Sequence, residues 1–249
     1  MTKQDYRIDY AVDPMPQVPV SMPRRIRAVI FDLDDTLVES TVDFTKFKRL
    51  VIQRIGTHGD DSSLYSPDET IVEIVARFED RMRDRGVDEN EIRTMLADLD
   101  RIMDGVELER VSETTAINGA VELLSFLREK GMKIGILTRG CEEYALTVLR
   151  ITGMQTLVDK IECRNSNTKA KPDPDSYLNL VRMLGVPKEE TIFVGDHPMD
   201  AQCAANAGVP FMAVQTGDVP EDVLKDAGSV EIFTDVKHMI GWFEKVLTD

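Results

Sequence analysis

Residues 27–37 read R-A-V-I-F-D-L-D-D-T-L, and no other stretch constrains the fold as tightly. Ala28, Val29, Ile30 and Phe31 form an unbroken apolar run, the pattern of a strand buried on both faces of a parallel sheet. The run stops at Asp32, Asp34 and Asp35, three carboxylates within four positions. Like charges held that close disfavour one another's ionisation unless a cation compensates them. Open α/β sheets bind ligands at the carboxyl ends of their strands. A strand that delivers acids there therefore predicts a divalent-metal site with chemistry attached.

The pattern changes after this strand. Phe44, Phe47, Leu50, Val51 and Ile55 fall at helical spacing, as do Ile71, Ile74, Val75, Phe78 and Met82, and then Ile92, Met95, Leu96, Leu99, Ile102 and Met103. Successive amphipathic helices with no strand between them predict a helical module. Residues 56–68 read as a polar linker within it, and Gly86 as a helix C-cap. From residue 115 the rhythm is helix, strand, helix, strand. Asn118 is placed to cap a helix that stops at Gly131, and strands are expected at 133–138, 160–163, 191–194, 211–214 and 231–233. Helices are expected at 141–152, 175–184, 201–207 and 237–247. Such alternation implies parallel βαβ units with helices on both faces. The expected fold class is therefore α/β: a Rossmann-like parallel sheet core plus an inserted α-helical cap domain. The expected boundaries are a Pro-rich N-terminal extension over 1–23, a core formed by 24–38 and 115–249, and a helical cap over 39–114.

Composition narrows the partners. With 45 acidic against 30 basic residues the formal net charge is -15, a field that repels phosphate backbones and anionic lipid. Nucleic acid and membrane surfaces are therefore not expected partners. Cys141, Cys163 and Cys203 are odd in number and scattered, which fits a reducing compartment rather than a disulfide framework. No apolar run is long enough to span a bilayer, and the N-terminus lacks a signal-peptide pattern. The expectation is a cytoplasmic protein; the sequence is silent on oligomeric state.

Four short segments fall at or just after strand ends: Asp32-Leu33-Asp34-Asp35-Thr36, Thr138-Arg139-Gly140, Lys169-Ala170-Lys171-Pro172, and Gly195-Asp196-His197-Pro198-Met199-Asp200. A parallel sheet aligns its strand C-termini along one edge, so these groups are expected to share a cleft. Carboxylates, a hydroxyl and one or two lysines together suit metal-assisted chemistry on a phosphate ester.

The four segments, in this order, resemble the haloacid dehalogenase superfamily, phosphatase branch, with a helical cap inserted after the first strand, in the manner of phosphoglycolate phosphatases. The resemblance runs from Arg24 onward and implies a role for each residue. Asp32 would be the nucleophile that forms an aspartyl-phosphate. Asp34 would be the general acid for the leaving alcohol and then the base for water. Asp32, Asp196 and the backbone carbonyl of Asp34 would hold Mg²⁺, with Asp200 as a further ligand or an acceptor just outside the metal. Thr138 and Arg139 would bind substrate, and Lys171 would hold both Asp32 and the phosphate. The implied function is Mg-dependent hydrolysis of a small phosphorylated metabolite such as phosphoglycolate, a sugar phosphate or a nucleotide. A phosphomutase of the same superfamily and a non-catalytic binding protein on this fold are the alternatives. The sequence departs from the commonest pattern at Asp35, at Arg139 and at His197, where glycine, asparagine and a hydroxyl residue respectively are frequent.

Blander roles stand beside these. Asp200 is also placed to cap a helix from Ala201. Lys169 reads as solvent-facing, Cys141 as a packed thiol, and His58 and His238 as surface residues. Arg49, Arg54 and Arg77 lie in the cap, where surface solvation accounts for them.

Overall fold

The computed structural model describes residues 21–247. Most of the Pro-rich extension expected over 1–23 thus lies outside the described residues, and 21–23 carry no regular structure. The leading strand, β1 (Ala28–Phe31), is buried at every residue. The chain turns sharply after it, with the amide of Leu37 donating to Leu33 and that of Asp35 donating to Val38. A two-residue strand, β2 (Val38–Glu39), follows. Then come helices α1 (Phe44–Thr57), α2 (Ile71–Asp84) and α3 (Glu89–Glu109). The chain returns as β3 (Thr115–Ala116), which pairs antiparallel with β2. The alternating part continues through α4 (Ala120–Glu129), β4 (Lys133–Leu137), α5 (Glu142–Ile151), β5 (Lys160–Glu162) and α6 (Asp175–Leu184). It ends with β6 (Thr191–Gly195), α7 (Pro198–Ala207), β7 (Phe211–Val214), α8 (Glu221–Asp226), β8 (Glu231–Phe233) and α9 (Val236–Val246).

Six strands form one parallel sheet in the order β5-β4-β1-β6-β7-β8. From β1 the chain winds outward through β4 to β5, crosses back to β6 on the other side of β1, and winds outward again. The winding therefore reverses between β1 and β6, and a doubly wound sheet opens its ligand crevice at that reversal, at the strand C-termini. Helices α6 and α7 pack on each other, α6 against β4 and β5 and α7 against β6 and β7; α4 and α9 form a second pair. The sheet is thus a Rossmann-like α/β core. Among the described residues no helix is long and apolar enough to cross a membrane.

The described chain falls into two compact units, one spanning Thr41–Val111 and the other holding the α/β elements. The helical unit has its own core. Phe47, Val51 and Ile55 on α1, and Ile74, Phe78 and Met82 on α2, recur every fourth residue and meet Ile92, Leu99 and Met103 of α3. Thr70 and Glu73 form a reciprocal capping box at the start of α2.

Several local expectations change. The cap of α4 is Gly119, at φ 91, not Asn118; that left-handed conformation suits glycine. α7 begins at Pro198, earlier than the expected Ala201, because proline tolerates the first helical position and His197 caps it. Asp200 is therefore not the helix cap. The short α8 and the β2–β3 pair carried too little periodicity to be read. The linker at 56–68 is not merely polar. Asp60 within it is buried, and its carboxylate takes two bonds from Arg81, at 2.7 and 2.8 Å, and one from the Tyr65 hydroxyl at 2.5 Å. His58 is half-buried, with Nε2 3.0 Å from the Asp98 carboxylate.

Arg81 holds the Asp60 carboxyl below the usual carboxylate range, chiefly through its hydrogen bonds. A depressed folded-state pKa contributes stability above the unfolded value, near 3.9, and loses it as pH falls through the folded value. Asp60→Asn is expected to destabilise the protein by about 2 kcal/mol at pH 7. The gap from wild type should narrow below about pH 4. Denaturant melts across pH measure both.

Candidate active site

The amide of Asp32 continues the ladder beyond β1 by donating to Val194 on β6 at 2.9 Å. This seats the Asp32 side chain at the crevice between β1 and β6. Asp196 follows β6 directly, and Asp200 lies on the first turn of α7. All three carboxylates are buried, and their oxygens lie within 4.8 Å of one another. Burial pushes Asp32 up to about 6, against the opposing pull of the Lys171 ammonium. Burial, then the charges of Asp32 and Asp200, raise Asp196 well above the ordinary range.

One cation bridges the group. Lys171, 4% exposed, donates to Asp32 Oδ1 at 2.6 Å and to Asp200 Oδ1 at 2.7 Å. Burial opposes its charge, but the attraction of Asp200 and Asp32 outweighs burial and raises its pKa. Its ammonium also lies 5.8 Å from the centroid of the Phe193 ring, within cation–π reach. Asp200 gives its second oxygen to the amide of the N-cap residue His197, at 3.3 Å, so the carboxylate that holds Lys171 also completes the capping box of α7. His197 returns the bond, its Nδ1 accepting from the Met199 amide at 3.1 Å. A methyl group on Gly195 would stand 2.5 Å from Asp200 Oδ2, so only glycine admits this approach. Asp196 accepts from the fully buried Thr36 hydroxyl at 2.9 Å.

The remaining acids separate. Asp34 Oδ1 accepts from the Tyr144 hydroxyl at 2.5 Å and the Ser40 hydroxyl at 2.8 Å. Asp35 adopts φ 53 in the turn. Its carboxylate accepts from the Ser40 amide at 3.2 Å and its carbonyl from the Thr216 hydroxyl. Burial pushes its pKa up to about 6. Thr138, 3% exposed just past β4, accepts from the Gly140 amide at 2.9 Å and keeps its own hydroxyl hydrogen to donate. Arg139 reaches from the end of β4 to Met199 on α7, its Nη1 3.1 Å from the sulfur. Since β4 and β6 flank β1, that reach crosses the strand that carries Asp32. Lys169 faces solvent, and Cys141 is buried at the cap of α5.

Asp32, Asp196, Asp200 and Lys171 thus meet in one cluster. Three partners were not singled out in the sequence: Thr36, Ser40 and Tyr144. Thr36 sits in the turn after β1 and Ser40 just after β2, and neither carries a periodicity. Tyr144 shares its helical face with Ala145 and Val148 and reads as packing.

A family model for haloacid dehalogenase-like hydrolases matches residues 29–214, a span that holds Asp32, Asp34, Thr138, Arg139, Lys171, Asp196 and Asp200. The chain belongs to the haloacid dehalogenase-like hydrolases. Within this family, a phosphoglycolate phosphatase from Thiobacillus denitrificans is 27% identical over 198 residues, 79% of this chain and 86% of that enzyme. An N-acetylmuramic acid 6-phosphate phosphatase from Pseudomonas aeruginosa is 25% identical over 240 residues, 90% of this chain and 98% of that enzyme. A solved haloacid dehalogenase-like hydrolase from Bacteroides fragilis superposes with a TM-score of 0.63 at 22% identity, covering 86% of this chain and 100% of its own.

Lys171→Met removes the cation between two buried carboxylates while keeping an unbranched chain. The expected cost is about 3–5 kcal/mol of stability, the usual penalty for orphaning a buried charge. Adding Asp200→Asn to Lys171→Met should recover part of that loss. Denaturant melts of the single and double variants measure it; additive losses would contradict the bridge.

Proposed function

We propose that this haloacid dehalogenase-like hydrolase is a Mg²⁺-dependent phosphatase that cleaves a small phosphate monoester through an aspartyl-phosphate on Asp32. The observation that carries this reading is the buried trio of Asp32, Asp196 and Asp200 bridged by Lys171 at the β1–β6 crevice. The donor set fits a hard divalent cation: the oxygens are carboxylate oxygens, and the charge within the trio exceeds what one ammonium balances. Asp32, Asp196 and the Asp34 carbonyl would hold Mg²⁺, and the ion would supply charge neutralisation for the phosphoryl oxygens. Both oxygens of Asp200 already serve Lys171 and His197, which supports a holding role for it rather than direct ligation.

The chain's own residues account for the rest. Asp32 attacks phosphorus as the bond to the leaving oxygen breaks, and Asp34 gives that oxygen its proton. Asp34, now a carboxylate, takes a proton from water, which attacks the aspartyl-phosphate and releases inorganic phosphate. Lys171 neutralises Asp32 and the incoming phosphate, the Thr138 hydroxyl donates to a phosphate oxygen, and Arg139 offers its guanidinium to the substrate. The two phosphatase relatives direct the substrate search to phosphoglycolate and sugar 6-phosphates.

Phosphate release from a panel of phosphoglycolate, sugar phosphates and nucleoside monophosphates, with Mg²⁺ and with chelator, tests the proposal. Turnover is expected with Mg²⁺ only, and Asp32→Asn should lower it at least about a thousandfold. Full activity in Asp32→Asn or in chelator would refute it. Release of an isomerised sugar phosphate in place of phosphate would indicate a mutase, and ligand-induced stabilisation without turnover a binding protein.

A further inference from the structure

The Asp34 carboxylate is held from two directions. Ser40, just after β2, places its hydroxyl 2.8 Å from Oδ1. Tyr144, on the first turn of α5, is fully buried and reaches the same oxygen at 2.5 Å. The approach is built in: a Cβ at Gly140 would stand 2.7 Å from the Tyr144 ring. A buried phenol ordinarily finds a partner for its hydroxyl, and here the partner is the residue assigned to acid–base work.

Both donors converge on one oxygen. Protonating Oδ1 would break at least one of the two bonds, whereas protonating Oδ2 keeps both. Losing a buried hydrogen bond disfavours the form protonated on Oδ1, and that decides between the oxygens. We infer that Tyr144 is a positioning residue for Asp34: it fixes Oδ1 as an acceptor, so that Oδ2 carries the proton delivered to the leaving alcohol. This rests on the reading of Asp34 as the general acid. In that step the Oδ2–H proton passes to the ester oxygen as its bond to phosphorus breaks and the Asp32–phosphorus bond forms. Tyr144 gains and loses nothing; it sets which oxygen donates and at what angle.

The test separates positioning from packing by the need for a proton. An alkyl alcohol needs one to leave; p-nitrophenolate does not. Tyr144→Phe keeps the ring and removes only the hydroxyl. On the alkyl phosphate hydrolysed fastest in the panel, its kcat/KM should fall about ten- to a hundredfold. On p-nitrophenyl phosphate it should change less than about twofold, since no proton transfer is at stake. Equal losses on both esters, or no loss on either, overturn the inference. Asp34→Asn is measured alongside. If it shows the selective alkyl loss and Tyr144→Phe does not, the inference falls and the reading of Asp34 stands. If Asp34→Asn shows no selectivity, both fall. Should Tyr144→Phe fail to fold, Tyr144→Met, which also lacks the hydroxyl, faces the same pair of esters and the same criteria.

Discussion

The salt bridge from Lys171 to Asp32 and Asp200 is the interaction on which this structure depends. Taking ionised groups out of water costs several kcal/mol each, and this crevice buries three carboxylates and one ammonium. The arrangement is held by hydrogen bonds among its own members. Lys171 serves two carboxylates, Asp200 closes the first turn of α7 with its other oxygen, and Thr36 supports Asp196. Excess negative charge is left over, and on the proposed mechanism a divalent cation would offset it and let an anionic phosphoryl group approach. Burial pushes the carboxyls of Asp32 and Asp196 upward, with the neighbouring Asp200 charge adding to it.

The fold supplies what this cluster needs. A doubly wound sheet brings the ends of β1 and β6 side by side, and the segment between β5 and α6 carries Lys171 to Asp32, 139 positions away in the chain. The helix after β6 begins with a reciprocal cap between His197 and Asp200, so helix initiation and charge compensation use the same carboxylate. The turn after β1 does a second task. It separates Asp34 from Asp32 and hands it to Ser40 and Tyr144, giving two acids of one short motif different surroundings. On the proposed mechanism that division matters, since one acid must stay ionised to attack and the other must hold a proton.

Much of this was legible in the sequence because it rests on period and order. The apolar run 28–31, the alternation of helix and strand after residue 115, and the fourth-residue rows of α1 and α2 all follow from burial on one face or two. Three of the four motif segments were legible as strand ends that a parallel sheet forces together; the fourth, 169–172, lies beyond the end of β5 at Glu162. What stayed hidden depends on contacts with no sequence period. Tyr144 lies 110 positions from Asp34 and looks like any aromatic on a packed helix face. Asp60 sits in a stretch that reads as solvated linker, yet Arg81 and Tyr65 enclose it. Asp200 reads in the sequence as an acid of the metal site, with a cap for a helix starting at Ala201 as its blander role. Proline at position 198 moves that start, and the carboxylate becomes the third residue of α7 and a partner for Lys171.

On the proposed mechanism Asp32, the acid held by Lys171, takes the phosphoryl group from substrate. Mixing enzyme, Mg²⁺ and a hydrolysed ester, quenching in acid within the first turnover, and mapping the digest by mass spectrometry tests it directly. One phosphoryl group is expected on the peptide bearing Asp32, absent from Asp32→Asn. Turnover at full rate with no phosphoryl group on that peptide, or with the group on another residue, would contradict it.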